Sequence, residues 1–469
     1  CEKLVQDVHY RDSIREPMND FFRFQNKALI SATPIVPEKD SRFDGFMRVL
    51  IQPDYVYRQK LKLITTNNVL ETLQEVIEAK RGTVCIFCNS IDSIDSFYRL
   101  IPELSNACTF CSEDGQYKLW KGNRRKKSMM ITELERYNFF TSRFYSAVDI
   151  LCKNPPHVIF VSDLYGAAQS VIDPATEAIQ IIGRFRGGVN SVTHIASIRP
   201  ELECMSSSEI DHWIQGASTI FNGWKAQLAR TTNIGERTLL QEAIGENSYL
   251  PYLDENGKPD SFLIANFYEK EQVKRLYTSA DLLHLAYEQT GYFVFSHEER
   301  LMPVSDNERM AIQHRLAKKK RAELIVRKLE EMEKMSRATD KKIQKRYQRM
   351  LMNLITSTAD RYIYDCFCRF GAEFVREADY NENKLRTALN VSSEHTIKKS
   401  GQMRTYIQRA FPVDAEISVQ EAKSMLRQVY KKMGLNTGRG ITTKELEQYA
   451  EIENSRNREA RMIKILKHK

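Results

Sequence analysis

Five short apolar runs, at residues 83–88, 106–111, 137–141, 157–161 and 192–198, punctuate the first two hundred residues, and polar residues close each one. Runs of this length with no polar alternation are strands buried on both faces, the pattern of a parallel sheet. Between them the period changes. Residues 66–79 put Val69, Leu73, Val76 and Ile77 on one helical face, and Asn89-Ser90 opens a second helix over 91–101. Strand alternating with helix predicts an α/β fold with a parallel sheet across residues 66–200. A further short strand is expected at Lys27-Ala28-Leu29-Ile30.

The stretch 137–198 concentrates the chemistry. Thr141-Ser142-Arg143 follows one strand and Ser162-Asp163 the next. Pro174 then marks the first turn of a helix that carries Gln180 and exits through Gly183-Arg184-Phe185-Arg186-Gly187-Gly188. Two arginines among glycines at the mouth of a parallel sheet are suited to stabilising phosphoryl charge.

This stretch resembles motifs V and VI of superfamily 2 DEAD/DEAH-like helicases. Motif VI of that family reads Gln-x-x-Gly-Arg with another Arg close behind. Gln180, Gly183 and Arg184 match it, while Arg186 stands two places after the first arginine where the family has three, which leaves open which arginine is the finger. Ala147-Val148-Asp149 matches the end of motif V, Asn89-Ser90 motif IV, and Ser31-Ala32-Thr33 motif III. The resemblance places Cys1-Glu2 at the end of a DExx motif, with Glu2 handling Mg²⁺ and water. It implies ATP and Mg²⁺ as cofactors, held mainly by a first lobe that is not part of this sequence. Gln180, Arg184, Arg186, Asp149 and Gly183 would face the nucleotide. Asn89, Ser90, Thr141, Ser142 and Arg143 would touch nucleic-acid phosphates, and Ser31, Ala32 and Thr33 would couple the two sites. Capping of a strand-to-helix turn is an equal reading of Thr141 and Ser142. The tight Gly-Arg-Phe-Arg is closest to viral origin-binding replication helicases and favours DNA over RNA.

No Gly-x-x-x-x-Gly-Lys-Ser/Thr occurs in the 469 residues, so the chain alone is not expected to hydrolyse ATP. The start lacks both Met and an apolar leader, and a chain beginning inside a longer protein is expected. Nine cysteines form no secreted framework, and no apolar run reaches membrane length, which points to the cytoplasm and away from a membrane. Cys85-x-x-Cys88 and Cys108-x-x-Cys111 have near-zinc-ribbon spacing, but each pair lies in an apolar strand, where residues three apart face opposite ways. No metal site is expected.

Beyond residue 200 the pattern changes. Ser206 and Glu209 form a capping box, Asp254-Glu255-Asn256-Gly257 reads as the turn of a hairpin within 249–268, and helices are expected at 278–289 and across 306–355. Residues 114–135, with Arg124-Arg125-Lys126-Lys127, read as a basic loop leading into a helix. The net charge is +9, and residues 307–350 alone hold 15 Lys/Arg against 6 Asp/Glu. A polyanion partner and a solvated helix face fit that surplus equally. Near the end, Ser418 caps a helix through Met433, Gly434 stops it, residues 436–440 turn, and Thr442 caps a second helix. This is either a helical hairpin or a small winged-helix-like DNA-binding unit.

The expected organisation is therefore the end of a first RecA-like lobe (1–40), a hinge (41–65), a second RecA-like lobe (66–200), a mixed region (201–300), a basic helical region (301–380) and a small helical domain (381–469). The expected function is an ATP-dependent nucleic-acid helicase or translocase. The alternatives are a non-catalytic DNA-binding protein with a relic RecA-like lobe and the motor subunit of a nuclease or restriction system.

Overall fold

The computed structural model describes the chain except for Cys1, Tyr10, residues 121–125, Thr132, Ala147, Pro303 and residues 313–315, 336–340, 436–439 and 457–459. Cys1, Arg124, Arg125, Ala147 and the turn expected at 436–439 thus lie outside the described residues. The chain forms two compact units, Cys1–Met310 and Ala311–Lys469.

The first unit is built on eight parallel strands: β1 (Gln59–Thr66), β2 (Val84–Phe87), β3 (Cys108–Phe110), β4 (Lys126–Ser128), β5 (Tyr137–Phe140), β6 (His157–Ser162), β7 (Ser191–Ser197) and β8 (Phe293–Arg300). They lie in the order β4-β3-β5-β2-β6-β7-β1-β8. The fold is α/β with a parallel sheet, and the second unit is mostly helical, as the sequence predicts. Strand alternation divides the core into two layers. Val84 and Ile86 pack with the helices Val69–Glu78 and Ile91–Leu100. Cys85 and Phe87 pack on the other face with the helix Glu177–Gly183 and with Val273, Tyr277 and Tyr287. The paired cysteines are parted in the same way: Cys85 and Cys108 belong to one layer, Cys88 and Cys111 to the other. Burial pushes the Cys111 thiol up to about 11 and Cys88 higher still, so both are protonated, apolar core groups.

Three strands of the sheet lie outside the predicted pattern. β1 falls in the expected hinge, and its lysines alternate with an apolar face at Leu61 and Leu63, while Ile64 packs on the opposite face. β8 closes the far edge and is rich in charge, as edge strands are. Lys62 and Glu298 pair across it at 2.5 Å, and Arg300 reaches Glu75 at 2.6 Å. Residues 114–135 are not a loop leading into a helix: a helix comes first, Glu113–Trp120, and edge strand β4 follows. Lys27-Ala28-Leu29-Ile30 is not a strand of this sheet; its backbone is unpaired and Ile30 is 91 % exposed. The expected hairpin at 249–268 is instead a single bridge, Leu253 to Pro259, around the Asp254–Lys258 turn. A 16-residue helix, Ser261–Leu276, begins directly after it, because the Asp260 carboxylate caps its first turn through the Phe262 and Leu263 amides. The capping box at Ser206 is present and opens the helix Ser207–Arg230.

Helices Ser261–Leu276 and Ala280–Gln289 are locked to the sheet by a buried polar chain. The Ser162 hydroxyl bridges His194 Nε2 and the Tyr277 hydroxyl, both at 3.0 Å, and His194 Nδ1 meets the Tyr287 hydroxyl at 2.7 Å. Tyr277 also donates to the Ile172 carbonyl at 2.7 Å. Burial without a counter-charge pushes His194 down to about 3. The unfolded chain takes up a proton near pH 6.5 that the folded chain refuses, so this residue's contribution is full above that pH and drains as pH falls toward 3. Its slope is about 1.4 kcal/mol per pH unit. Glu177 and Glu269, pushed up by burial to about 7 and about 8, act with the opposite sign, their contribution draining as pH rises from about 4.5 through those values. Urea unfolding of wild type and His194→Gln between about pH 4 and 6.5 isolates the histidine: the difference between the two should shrink on acidification. A constant difference would mean that His194 is protonated in the fold.

In the second unit, described helices occupy Lys318–Met335 and Lys341–Ser357. The basic surplus here is heavily ion-paired within the unit. Arg321 meets Asp360 at 2.6 Å, Lys319 meets Asp379 at 2.6 Å, and Lys318 pairs with Glu382. The terminal part has its own core of Met403, Ile407, Phe411, Leu426, Leu446, Ile463 and Ile465. Its elements run helix Gly401–Ala410, β9 (Glu416–Ser418), helix Val419–Lys432, a 3₁₀ segment Thr443–Gln448, β10 (Ala450–Arg456) and β11 (Arg461–His468). The second helix expected after Thr442 is this 3₁₀ segment, capped by Thr442 and Glu445. The three strands form an antiparallel sheet in the order β10-β11-β9.

Candidate functional site

The helix Glu177–Gly183 leaves the loop after β6 and buries Ala178, Ile181 and Ile182 against the sheet, which turns Gln180 toward the N-terminal segment. The Gln180 amide donates to the Thr33 hydroxyl at 2.8 Å, although 147 residues separate them. Thr33 is buried, and its backbone amide donates to the Ser31 hydroxyl at 3.1 Å. Ser31 in turn donates to the Glu2 carboxylate at 2.5 Å. Ala32 between them is exposed. The N-terminal segment is held here by two further bonds: Gln6 donates to Thr176 at 2.9 Å, and Asn266 to the Val5 carbonyl at 2.8 Å.

Arg184 sits at the end of the same string. Its Nε donates to the Gln180 carbonyl at 3.0 Å and its Nη2 to Gln180 Oε1 at 3.4 Å. Burial, and then the charge of Arg186, push its guanidinium down from the usual range, while Asp149 and Glu2 pull it back up. Arg186 points elsewhere, to Asp149 at 3.0 Å, with both side chains largely exposed. Phe185 between them is the cause of the divergence. It is buried against Phe87, ring centroids 6.1 Å apart, so its neighbours leave the chain on different sides of that anchor. The Arg184 carbonyl accepts from the Ile150 amide at 2.9 Å, which ties the Asp149 loop to the same corner. Gly183 closes the helix.

The remaining predicted residues form a second group at the carboxyl ends of β2 and β5, the edge at which open α/β sheets bind ligands. The Ser142 amide donates to Asn89 Oδ1 at 3.4 Å, joining the two loops. Ser90 is buried and caps the helix Ile91–Leu100 through the Ser93 amide at 3.1 Å. Thr141 is buried and donates to the Phe110 carbonyl at 3.4 Å. Arg143 is exposed, and Asn89 and Ser142 are half-buried. At this edge Arg143, Asn89 and Ser142 are therefore the reachable groups.

Sequence reasoning missed the buried acids beside the first group. Asp173, Glu177 and Glu269 are pushed up chiefly by burial; the charge of Asp173 adds to this at Glu177, and those of Asp173 and Glu177 add to it at Glu269. Their sequence signal was slight, namely a glutamate in the first turn of the helix that carries Gln180. Asp163 was also missed as a support; it accepts from Ser93 at 2.9 Å and from the Gly166 amide at 3.0 Å. Among the described residues, no group of three or more His, Cys, Asp or Glu could hold a metal ion. The residues present fit one side of a phosphate site, a half-buried cation with an amide and hydroxyls, and not a whole nucleotide cradle.

The fold and the two groups define the first unit as an α/β protein with an all-parallel sheet and a polar site at its carboxyl edge. Compared with known proteins, it matches no family model and no curated relative.

Proposed function

We propose that the chain is the second RecA-like lobe, with the end of the first, of an ATP-dependent nucleic-acid motor whose track is DNA. The hydrogen-bonded string Glu2–Ser31–Thr33–Gln180–Arg184 carries this reading. It joins three sequence stretches that resemble separate helicase motifs, and it delivers one arginine to the end of the string. A string of this kind can sense a γ-phosphate on one side and pass its state to the loops at Asn89 and Arg143 through the Arg184–Ile150 bond. ATP, when bound, supplies the phosphoryl group. The chain's own residues contribute charge from Arg184 and orientation from Gln180 and Thr33.

The exposed apolar stretch before β1 supports a two-lobe arrangement. Met47, Val49, Leu50, Ile51 and Val56 are each at least 68 % exposed, and residues 47–56 make no backbone hydrogen bond. An unpaired, exposed aliphatic segment is the form of a chain that packs against another body. We assign it, with Lys27-Ala28-Leu29-Ile30, to the sheet of a first lobe that carries the phosphate loop. A cytoplasmic setting fits the free thiols of the described cysteines, and no helix among the described residues is long and apolar enough to cross a membrane.

The test is ATP hydrolysis by a polypeptide extended upstream of Cys1, with and without single- and double-stranded DNA and RNA. Stimulation by DNA is expected. A folded protein that hydrolyses no ATP with any polymer would leave a binding module in place of a motor.

A further inference from the structure

The helix Glu382–Lys398 in the second unit runs for 17 residues and buries a single one, Leu385. Polar contacts hold it to the preceding helix, Arg361–Glu377. Arg369 donates to the Ser393 and Thr396 hydroxyls at 3.1 and 3.0 Å and to the Ser392 carbonyl at 3.3 Å. The Arg386 guanidinium lies over the Tyr362 ring, 4.8 Å from its centroid. A helix fixed in this way leaves its apolar side chains without a cover.

Those side chains line an open groove of about 740 Å³ between the two helices. Lys384, Ala388, Val391 and His395 stand at i, i+4, i+7 and i+11, one face of the later helix. Phe370 and Phe374 form the opposite wall, their rings tilted together with centroids 4.7 Å apart. Gly371 lies between them at φ 87°, ψ 169° and breaks the earlier helix, a backbone that glycine adopts without strain. Val391, within the stripe, is 57 % exposed. An apolar groove open to water gains free energy when another apolar surface covers it.

Charge identifies the cover. Among the described residues that line the groove none is acidic, and Lys384 and His395 stand at the two ends of the stripe. Lys384 is exposed and makes no ion pair among the described residues. Two copies packed groove to groove would bring these basic side chains together with no acid to offset them. The stripe is about 16 Å long, three turns of helix. A helix of that length with carboxylates at its ends meets the apolar stripe and both basic side chains together.

We propose that this groove docks an amphipathic helix of another protein, about three turns long, with aliphatic residues along one face and an acidic residue at each end. The groove belongs to the second unit and does not involve the nucleotide site, so this proposal and the motor reading fail separately.

The experiment is fluorescence anisotropy of the full chain with a labelled peptide of about 14 residues, Leu at i, i+4 and i+7 and Glu at both ends. Two control peptides carry Lys at the ends or the leucines out of register. The Glu-ended peptide should bind at least about tenfold more tightly than either control. Val391→Glu should weaken it about tenfold or more, because an apolar contact is lost and a like charge added. Lys384→Glu should bind the Lys-ended peptide more tightly than the Glu-ended one, a change of sign that partial unfolding does not produce. Both residues are exposed, so both variants should melt with wild type. No binding of the Glu-ended peptide, equal binding of all three, or an unchanged preference in Lys384→Glu would overturn the proposal. A concentration-dependent dimer in sedimentation velocity that Val391→Glu abolishes would give the groove to a second copy and overturn it as well.

Discussion

Replacing Arg184 by Ala should lower DNA-stimulated ATP turnover about a thousandfold in the upstream-extended polypeptide, with strand binding nearly unchanged. The magnitude is that of an arginine finger, whose removal costs about 10³ to 10⁵ in turnover. The choice of Arg184 over Arg186 comes from geometry. Arg184 is half-buried at the end of the string through Gln180, Thr33, Ser31 and Glu2, where a cation is weakly screened. Arg186 is exposed and paired with Asp149. An exposed ion pair contributes under about 1 kcal/mol, so Arg186→Ala should change turnover by less than about fivefold. Steady-state hydrolysis alongside anisotropy on the same preparations separates the two. Equal losses in both variants would remove the distinction, and wild-type turnover in Arg184→Ala would remove the role itself.

Phe87→Ala should lower the stability of the first unit by about 3–5 kcal/mol. Phe87 is fully buried at the meeting point of four rings: it stacks on Phe140 at 5.0 Å and meets Tyr145, Phe160 and Phe185 edge-on at 5.8, 6.3 and 6.1 Å. Truncation leaves a void that the parallel sheet cannot close, because β5 and β6 hold β2 from both sides. The urea midpoint reads the loss. There is a second consequence at the site: Phe185 loses the wall that fixes the divergence of Arg184 and Arg186. Turnover per folded molecule should therefore drop in Phe87→Ala and recover in Phe87→Leu. A shifted midpoint with unchanged turnover per folded molecule would show that Phe185 needs no such wall.

The roles of the buried hydroxyl and imidazole groups were not legible in the sequence for a simple reason. Ser162, His194, Tyr277 and Tyr287 are scattered over about 125 positions and share no period, and only the packing of two helices on the sheet brings them into one chain of hydrogen bonds. The same holds for Asp173, Glu177 and Glu269. A carboxylate in a sequence looks solvated, and its altered proton affinity is created by the protein that closes over it.

What the sequence determined by itself was local. Runs such as Val84–Phe87 and His157–Ser162 can satisfy their backbone only as interior strands, and Asn68, Ser90, Ser206 and Ser418 start helices because their side chains accept the first free amides. The α/β class followed from that alternation. Tertiary structure decided the rest. Edge strands β4 and β8 carry charge because one side faces water, so no apolar run announces them. Segment 27–30 has strand composition but no partner in this sheet, and stays unpaired. The close spacing of Arg184 and Arg186 says nothing of where each side chain goes; the burial of Phe185 between them sends each guanidinium to a different partner. Composition fixes which groups a helix or strand can offer, and which of them meet is a property of packing alone.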